Sequence, residues 1–377
     1  MNKVVYLSYY SLQSIYRTVS PAAVAMTKYV GSALTQAVGK ITIISPAQAS
    51  DRKFHPQEEM VDEQNNKVIF LPSYYAKPKN YFMRIFNRFR RQRDLRRMLA
   101  EQLNDGDTLI VYHSLTLIEA VRWVLKRRKI RLIIQVCEIY ADVISDMKQK
   151  KREMRFFELA DAYIFSSTQL EKRINTKQKK YAICLGTYQV EPDRGIRLQD
   201  GKIHVVYAGT FDPRKGGAIA AAAAGEFLPE NYHVHIIGFG SEKDKKYLLD
   251  KIEEVSKKSK CTVTYDGLKS GEEYIRFIQS CDIGLSTQNP DAAFSETSFP
   301  SKVLSYLANG LRVVSIRIKA LGQSAVNDLL FYYDENSPRA IAEAIKKVKI
   351  DCGYDGRKRI QDLDSEFISS LESLFGK

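Results

Sequence analysis

Apolar residues fall along this chain in short, nearly unbroken runs separated by longer amphipathic stretches. KVVYLSYY (residues 3–10), KITIISP (40–46), KVIFLPS (67–73), DTLIVYH (107–113), RLIIQVCEIY (131–140), DAYIFSS (161–167) and KYAICLG (180–186) read as strands. Between them, segments around 20–39, 115–128 and 145–159 read as helices, the first with Pro21 well placed for its opening turn. Strands that lack in–out alternation and are separated by helices indicate a parallel sheet covered on both faces. The pattern then restarts, with QDGKIHVVYAGTF, YHVHIIGFG, CTVTYDG, CDIGLST, RVVSIR and LLFYYD as a second set of strands. The polar segment 191–202 separates the two sets. The predicted class is α/β, with two tandem Rossmann-like doubly wound domains over residues 1–190 and 191–362. Ligands of such sheets sit beyond the carboxyl ends of the strands, so the pair is expected to face a common binding cleft.

Length and composition fit two separately cored domains: 377 residues, 27% of them charged. No apolar run reaches the roughly 18–20 residues of a membrane span. The first residues turn polar too early for a secretory signal. The five cysteines, at 137, 184, 261, 281 and 352, have neither metal-ligand nor redox spacing, which points to a reducing, cytoplasmic setting. The formal charge of +14 changes the picture more, because it favours anionic partners: phosphorylated small molecules, a phospholipid surface or nucleic acid.

Three stretches of the second half carry candidate chemistry. In YAGTFDPRKGG, a strand ends at Ala208, Gly209 permits a tight turn, and Arg214 and Lys215 can reach back as cations. Gly216 and Gly217 then open an Ala-rich helix, the arrangement of a phosphate cradle and equally of a plain strand–loop–helix turn. GFGSE places Gly238 after another strand, a weaker signal. In FPSKVLSYLANG, Pro300 fixes the helix entry, Ser298 or Ser301 can cap it, and Val303, Leu304 and Leu307 face inward. A hydroxyl-rich loop ahead of free helix amides suits a sugar carrying phosphates, and a capped core helix ended by Gly310 accounts for the same letters.

AGTFDPRKGG, IIGFGSE, YDGLKSGEEYIRFIQSCDIGLS and FPSKVLSYLANGLRVVS, in that order, resemble the C-terminal half of GT-B glycosyltransferases, most closely the retaining family 4 type. The resemblance implies a nucleoside-diphosphate sugar donor held by the second domain and an acceptor held by the first. It places Gly209 and Lys215 toward the diphosphate, Gly267 and Leu268 beside the base, and Ser298, Pro300, Ser301, Lys302 and Val303 along the sugar and phosphates. It also implies that the terminal helix, about 363–377, packs back on the first domain. The sequence departs from the family at Thr210, where a basic residue is usual, and at Thr297 and Ser305, where two glutamates are usual. Glu296 neighbours the first of these, and Lys302 offers a replacement charge.

In the first half, Glu138 sits past a strand end beside Tyr140 and Asp142, where the resemblance implies an acidic or histidine residue facing the acceptor. A carboxylate there can orient or deprotonate an acceptor hydroxyl. His113 ends another strand and is a candidate for donor or acceptor contact, or a structural partner. Tyr9, Tyr10, Ser11 and Arg17 follow the first strand, with Arg17 a candidate phosphate contact. The segment 79–103 sets Phe82, Ile85, Phe86 and Phe89 among Arg84, Arg88, Arg90, Arg91 and Arg93. That spacing suits an interfacial helix on anionic lipid, or a helix packed on the sheet with a solvated basic face. No RNA-binding motif appears, so nucleic acid is not expected as a partner. The reading is therefore a retaining, metal-independent glycosyltransferase needing no cofactor. It takes a nucleotide sugar and a glycan or lipid-linked acceptor, is cytoplasmic, and lies peripherally on a membrane. A non-catalytic GT-B partner subunit and a basic membrane- or RNA-binding protein are the alternatives.

Overall fold

A computed structural model describes residues 2–11, 17–18, 20–49, 51, 53–75, 79–140, 146–212, 217–290, 298–350 and 353–376. The chain divides into two compact units, Met1–Thr187 with Ser365–Lys377, and Tyr188–Asp364.

The first unit is built on β1 (Val4–Leu7), β2 (Arg17–Thr18), β3 (Thr42–Ser45), β4 (Gln48–Ala49), β5 (Glu58–Val61), β6 (Lys67–Phe70), β7 (Thr108–Tyr112), β8 (Arg131–Val136), β9 (Ala162–Phe165) and β10 (Tyr181–Ile183). Eight of these form one sheet in the order β10-β9-β8-β7-β1-β3-β6-β5, parallel except for β5 against β6. The parallel strands are nearly solid apolar runs because helices cover both faces; every residue of β1, β3 and β9 is buried. The antiparallel edge was not expected. β5, Glu-Glu-Met-Val, alternates half-buried and exposed positions and has no apolar run to announce it. It is secured by a turn in which Asp62 Oδ1 accepts from the Gln64 and Asn66 amides and Asn65 takes a φ of 61°.

Helix Tyr81–Gln102 begins at Asn80, whose side chain accepts from the Phe82 and Met83 amides. Its second half buries Leu95, Met98 and Leu99 in the unit's core. The final helix, Gly356–Phe375, buries Phe367, Leu371 and Leu374; Phe367 stacks on Tyr29, and the Leu374 carbonyl accepts from Arg131 Nη2 at 2.6 Å. No described helix is long and apolar enough to cross a membrane.

The second unit holds β11 (Ile203–Thr210), β12 (Tyr232–Phe239), β13 (Thr262–Tyr265), β14 (Ile283–Ser286), β15 (Arg312–Ile316) and β16 (Leu330–Tyr333) in the order β13-β12-β11-β14-β15-β16, all parallel. The order reverses direction at β11, the switch point where open α/β sheets bind ligands. Gly238 has to be glycine: its φ is 137°, and a Cβ there would lie 1.8 Å from the Gly209 carbonyl oxygen.

Candidate functional site

The carboxyl ends of β11 and β12 run side by side, with Gly209 paired to Gly238 and Thr210 to Phe239. The Gly238 amide donates to the Gly267 carbonyl at 3.1 Å, which draws the loop after β13 to the same end of the sheet. Thr287, just after β14, donates from Oγ1 to the Gly217 carbonyl at 3.0 Å, and a Cβ on Gly217 would run into Thr287. Helix Lys302–Ala308 completes the group. Its Tyr306 hydroxyl accepts from the Ala208 amide at 2.9 Å, locking the helix to β11. The sequence positions Gly209, Thr210, Gly238, Gly267 and Lys302 are thus brought to one end of one sheet.

Lys302 is the electrostatic centre of this arrangement. Its ammonium lies 4.0 Å from the centroid of the Tyr207 ring, and its Nζ would be 3.1 Å from a Cβ on Gly209. Among the described residues no carboxylate or hydrogen-bond acceptor meets it. Burial against Tyr207 and the end of β11 pulls its pKa from 10.5 down to about 7. A cation–π contact offsets only part of the cost of desolvating an ammonium. An anion arriving here would meet a charge that the described residues leave uncompensated.

The other positions differ in what they offer. Leu268 is 64% exposed, an apolar side chain standing free beside Gly267. Ser298 and Pro300 are half-buried and Ser301 is exposed, whereas Val303 is fully buried and its amide, expected among the free helix N–H groups, is committed to the Pro300 carbonyl. Ser305 Oγ lies 3.2 Å from the Tyr274 hydroxyl, so a hydroxyl pair stands where the family resemblance implies a glutamate. Lys215, Glu296 and Thr297, with Arg214 and Gly216, lie outside the described residues.

In the first unit, Glu138 is half-buried just past β8. Burial, and next the Glu138 charge, raise the neighbouring Tyr140 hydroxyl well above its ordinary pKa. Asp142 lies outside the described residues. His113 is fully enclosed: its Nε2 contacts Glu153 Oε1 at 2.7 Å, both side chains are about 1% exposed or less, and Phe156, Phe157 and Tyr140 surround the ring. Glu153 also accepts from the Tyr140 amide at 2.9 Å, so it joins the ends of β7 and β8. Nothing in the sequence around Glu153 marks it; its partners are 40 and 13 positions away. Arg17 is equally committed, donating from Nη1 to the Ala47 carbonyl at 2.7 Å with its guanidinium over the Phe70 ring. It braces the segments after β3 and β6 from inside, its Nη1 donating also to the Leu71 carbonyl at 3.3 Å.

Helix Tyr81–Gln102 borders a groove of about 1750 Å³. Arg88, Arg90, Arg91 and Arg93 line it with Tyr9 and Trp123. Arg91 is half-buried, and its desolvation lowers its pKa. Arg93 is bonded to Asp94, and Arg90 stacks on Phe86. The first half of this helix has almost no buried face: Tyr81, Phe82, Phe86 and Phe89 are exposed beside Arg84 and Arg88.

Residues 202–351 match the family model described as "Glycosyl transferases group 1". No curated protein matches significantly in sequence. Among solved structures, sucrose-phosphate synthase from Thermosynechococcus elongatus is similar over 100% of this chain and 98% of its own, at 14% identity and a TM-score of 0.71. An α,α-trehalose-phosphate synthase (UDP-forming) from Burkholderia xenovorans, in complex with glucose-6-phosphate, is similar over 99% of each chain at 12% identity and 0.67. A structure described as trehalose-6-phosphate from E. coli bound with UDP-2-fluoro glucose is similar over 99% of this chain and 98% of its own, at 12% identity and 0.66. At these identities the likeness establishes the fold, two tandem Rossmann-like domains of the GT-B type.

Proposed function

We propose, from the GT-B fold and the match of residues 202–351 to the group 1 glycosyl transferase model, that the protein transfers a sugar from a nucleoside-diphosphate sugar to a hydroxyl acceptor. The observation that carries this reading is the Lys302 ammonium, held at the end of β11 with no counter-charge among the described residues. A diphosphate is the matching ligand. It supplies the missing negative charge, and departure of the nucleoside diphosphate builds further charge that the same cation stabilises. Lys215 adds a second cation in this reading, and the cations take the place of a divalent ion. Ser305 and Tyr274 present hydroxyls to the ribose. Glu138 orients or deprotonates the acceptor hydroxyl from the first unit, with retention at the anomeric carbon.

The acceptor in this reading is a glycan or lipid-linked glycan, reached by a protein resting on the cytoplasmic face of a membrane. The exposed aromatic and arginine half of helix Tyr81–Gln102 supports that placement. Reversing Arg84, Arg88 and Arg90 to glutamate is expected to weaken binding to anionic vesicles on the order of 100-fold or more, at about 1 kcal/mol per cation near the surface. Co-sedimentation with phosphatidylserine and with phosphatidylcholine vesicles measures this. Failure of the wild type to sediment with either vesicle would remove the membrane from the proposal.

Thermal-shift screening of the purified protein against UDP-, GDP-, ADP- and dTDP-sugars tests the central claim. The expected result is stabilisation by one nucleotide class, followed by transfer or slow hydrolysis of that donor. Failure of every donor to bind would overturn the reading. Binding without turnover under any acceptor would instead favour a non-catalytic partner subunit, the alternative to which the Ser305 hydroxyl in place of a carboxylate lends weight.

A further inference from the structure

The chain has five histidines, and three of them meet on one face of the second unit's sheet. His204 on β11 lies directly across from His233 on β12, and His235 follows two positions along β12 on the same face. One ring nitrogen from each lies within 4.8 Å of the others. His204 and His235 are buried, and His233 is half-buried.

The hydrogen bonds around these rings do not close with the protons that neutral histidines supply. His204 Nε2 contacts Asp200 Oδ1 at 2.9 Å, His204 Nδ1 contacts His235 Nε2 at 3.0 Å, and His235 Nδ1 contacts Asp266 Oδ2 at 3.1 Å. That is a row of carboxylate, imidazole, imidazole and carboxylate with three contacts between them. Two neutral imidazoles bring two N–H protons, and ionised carboxylates bring none. Placing those protons against the carboxylates leaves two nitrogen lone pairs facing each other at 3.0 Å. A cation belongs between them.

His233 decides which cation. Its Nε2 contacts Thr264 Oγ1 at 2.9 Å, and that hydroxyl donates its own proton to Asp266 Oδ2 at 2.8 Å. Thr264 therefore accepts from His233 Nε2, and His233 Nδ1 keeps its lone pair. Each of the three rings has one nitrogen held by a carboxylate or hydroxyl and the other left unprotonated, which is how proteins orient histidines on a metal. A shared proton would engage two rings and leave the third without a purpose.

We propose that His204, His233 and His235 bind one divalent first-row metal ion, Zn²⁺ by preference, as a structural staple of the second unit. Imidazole nitrogen suits Zn²⁺. Two nitrogens at about 2.0 Å from a tetrahedral zinc stand about 3.3 Å apart; His204 Nδ1 and His235 Nε2 are already 3.0 Å apart, while His233, stacked on His235 at 3.8 Å between ring centroids and with a nitrogen within 4.8 Å of the others, turns its ring to complete the set. The site is distant from the proposed donor end: Gly209 lies five positions along β11 from His204, roughly 16 Å at ~3.3 Å per residue. The ion joins β11 to β12 directly. Through Asp266 and Asp200 it also steadies the loop after β13 and the segment entering β11.

The test needs no substrate and does not depend on the proposed function. Metal-stripped full-length protein is titrated with Co²⁺, whose four-coordinate complexes absorb strongly in the visible, and then with Zn²⁺ in competition. The expected result is one equivalent of Co²⁺ with ligand-field bands, displaced by Zn²⁺, and a rise in unfolding temperature on adding Zn²⁺. His233→Ala, the least buried of the three, is expected to lose at least tenfold in affinity while unfolding like wild type in chelator. Should His233→Ala not fold, the wild-type spectrum and stoichiometry still decide. Absence of the bands from wild type, or equal Co²⁺ binding by wild type and a folded His233→Ala, overturns the proposal.

Discussion

Replacing Lys302 with methionine is expected to weaken donor binding roughly 100-fold while making the protein slightly more stable. The methionine keeps the apolar stem that lies against Tyr207 and removes only the charge. A charge-assisted contact to a diphosphate is worth about 1.5–3 kcal/mol, and 1.4 kcal/mol is tenfold in affinity. In the free protein the same ammonium is buried without a carboxylate among the described residues, so losing it removes a desolvation cost. A gain of about 1 kcal/mol, ~2–4 °C for a unit of this size, is expected. Calorimetric titration with the nucleotide sugar found by screening, and a thermal melt, measure the two effects. A variant that binds donor like wild type would show that the ammonium faces something other than the diphosphate.

The same group sets a pH dependence in the neutral range that an ordinary surface lysine, charged throughout that range, does not have. Lys302 is protonated below about pH 7 in the free protein and neutral above it. A nucleoside-diphosphate sugar keeps its charge across this range and binds the protonated form, which raises the lysine pKa in the complex. Affinity is therefore highest below pH 7. It falls as pH rises above 7, by up to about tenfold per unit, until the pKa of the complex is reached. The methionine variant should bind with no such slope.

Glu153→Ala is expected to destabilise the first unit by about 3–5 kcal/mol, the cost of breaking a buried pair by removing one partner. Glu153 is 0% exposed and accepts from both His113 Nε2 and the Tyr140 amide. Alanine would leave the histidine ring enclosed by Phe156, Phe157 and Tyr140 with its bond to the carboxylate gone, and would leave the amide without this acceptor. Glutamine retains an acceptor oxygen and should lose only about 1 kcal/mol. Urea unfolding of the three proteins measures this. An alanine variant within 1 kcal/mol of wild type would mean that the pair is not a structural joint. Because Tyr140 adjoins Glu138, the alanine variant should also loosen the segment that carries Glu138.

The parts of the fold that could be read from the chain were those whose cause is local. Every strand of the second sheet lies inside a stretch read as a strand, the inner ones mostly apolar because helices cover both faces, and the edge strand β13, Thr-Val-Thr-Tyr, only half-buried. β5 was illegible because an edge strand with one wet face needs only two half-buried positions. Lys302 could be singled out from its place in FPSKVLSY, but not its environment, since Tyr207 lies 95 positions earlier and meets it only through the crossing of helix and sheet. The histidine cluster was half legible. His-Val-His in a strand puts two rings on one face, but adding His204 requires the register of β11 against β12. His113 could be noticed as a strand-end histidine; Glu153, which holds it, could not.

The helix Gly356–Phe375 starts among residues of the second unit and finishes among those of the first. The amino-terminal half of the gene therefore does not encode a self-sufficient body. A fragment ending near residue 187 would lack Phe367, Leu371 and Leu374, leaving an oily wall open to water around Tyr29. Anyone dissecting the protein should graft the last thirteen residues back onto such a fragment, or add them as a separate peptide, before judging what that half can bind.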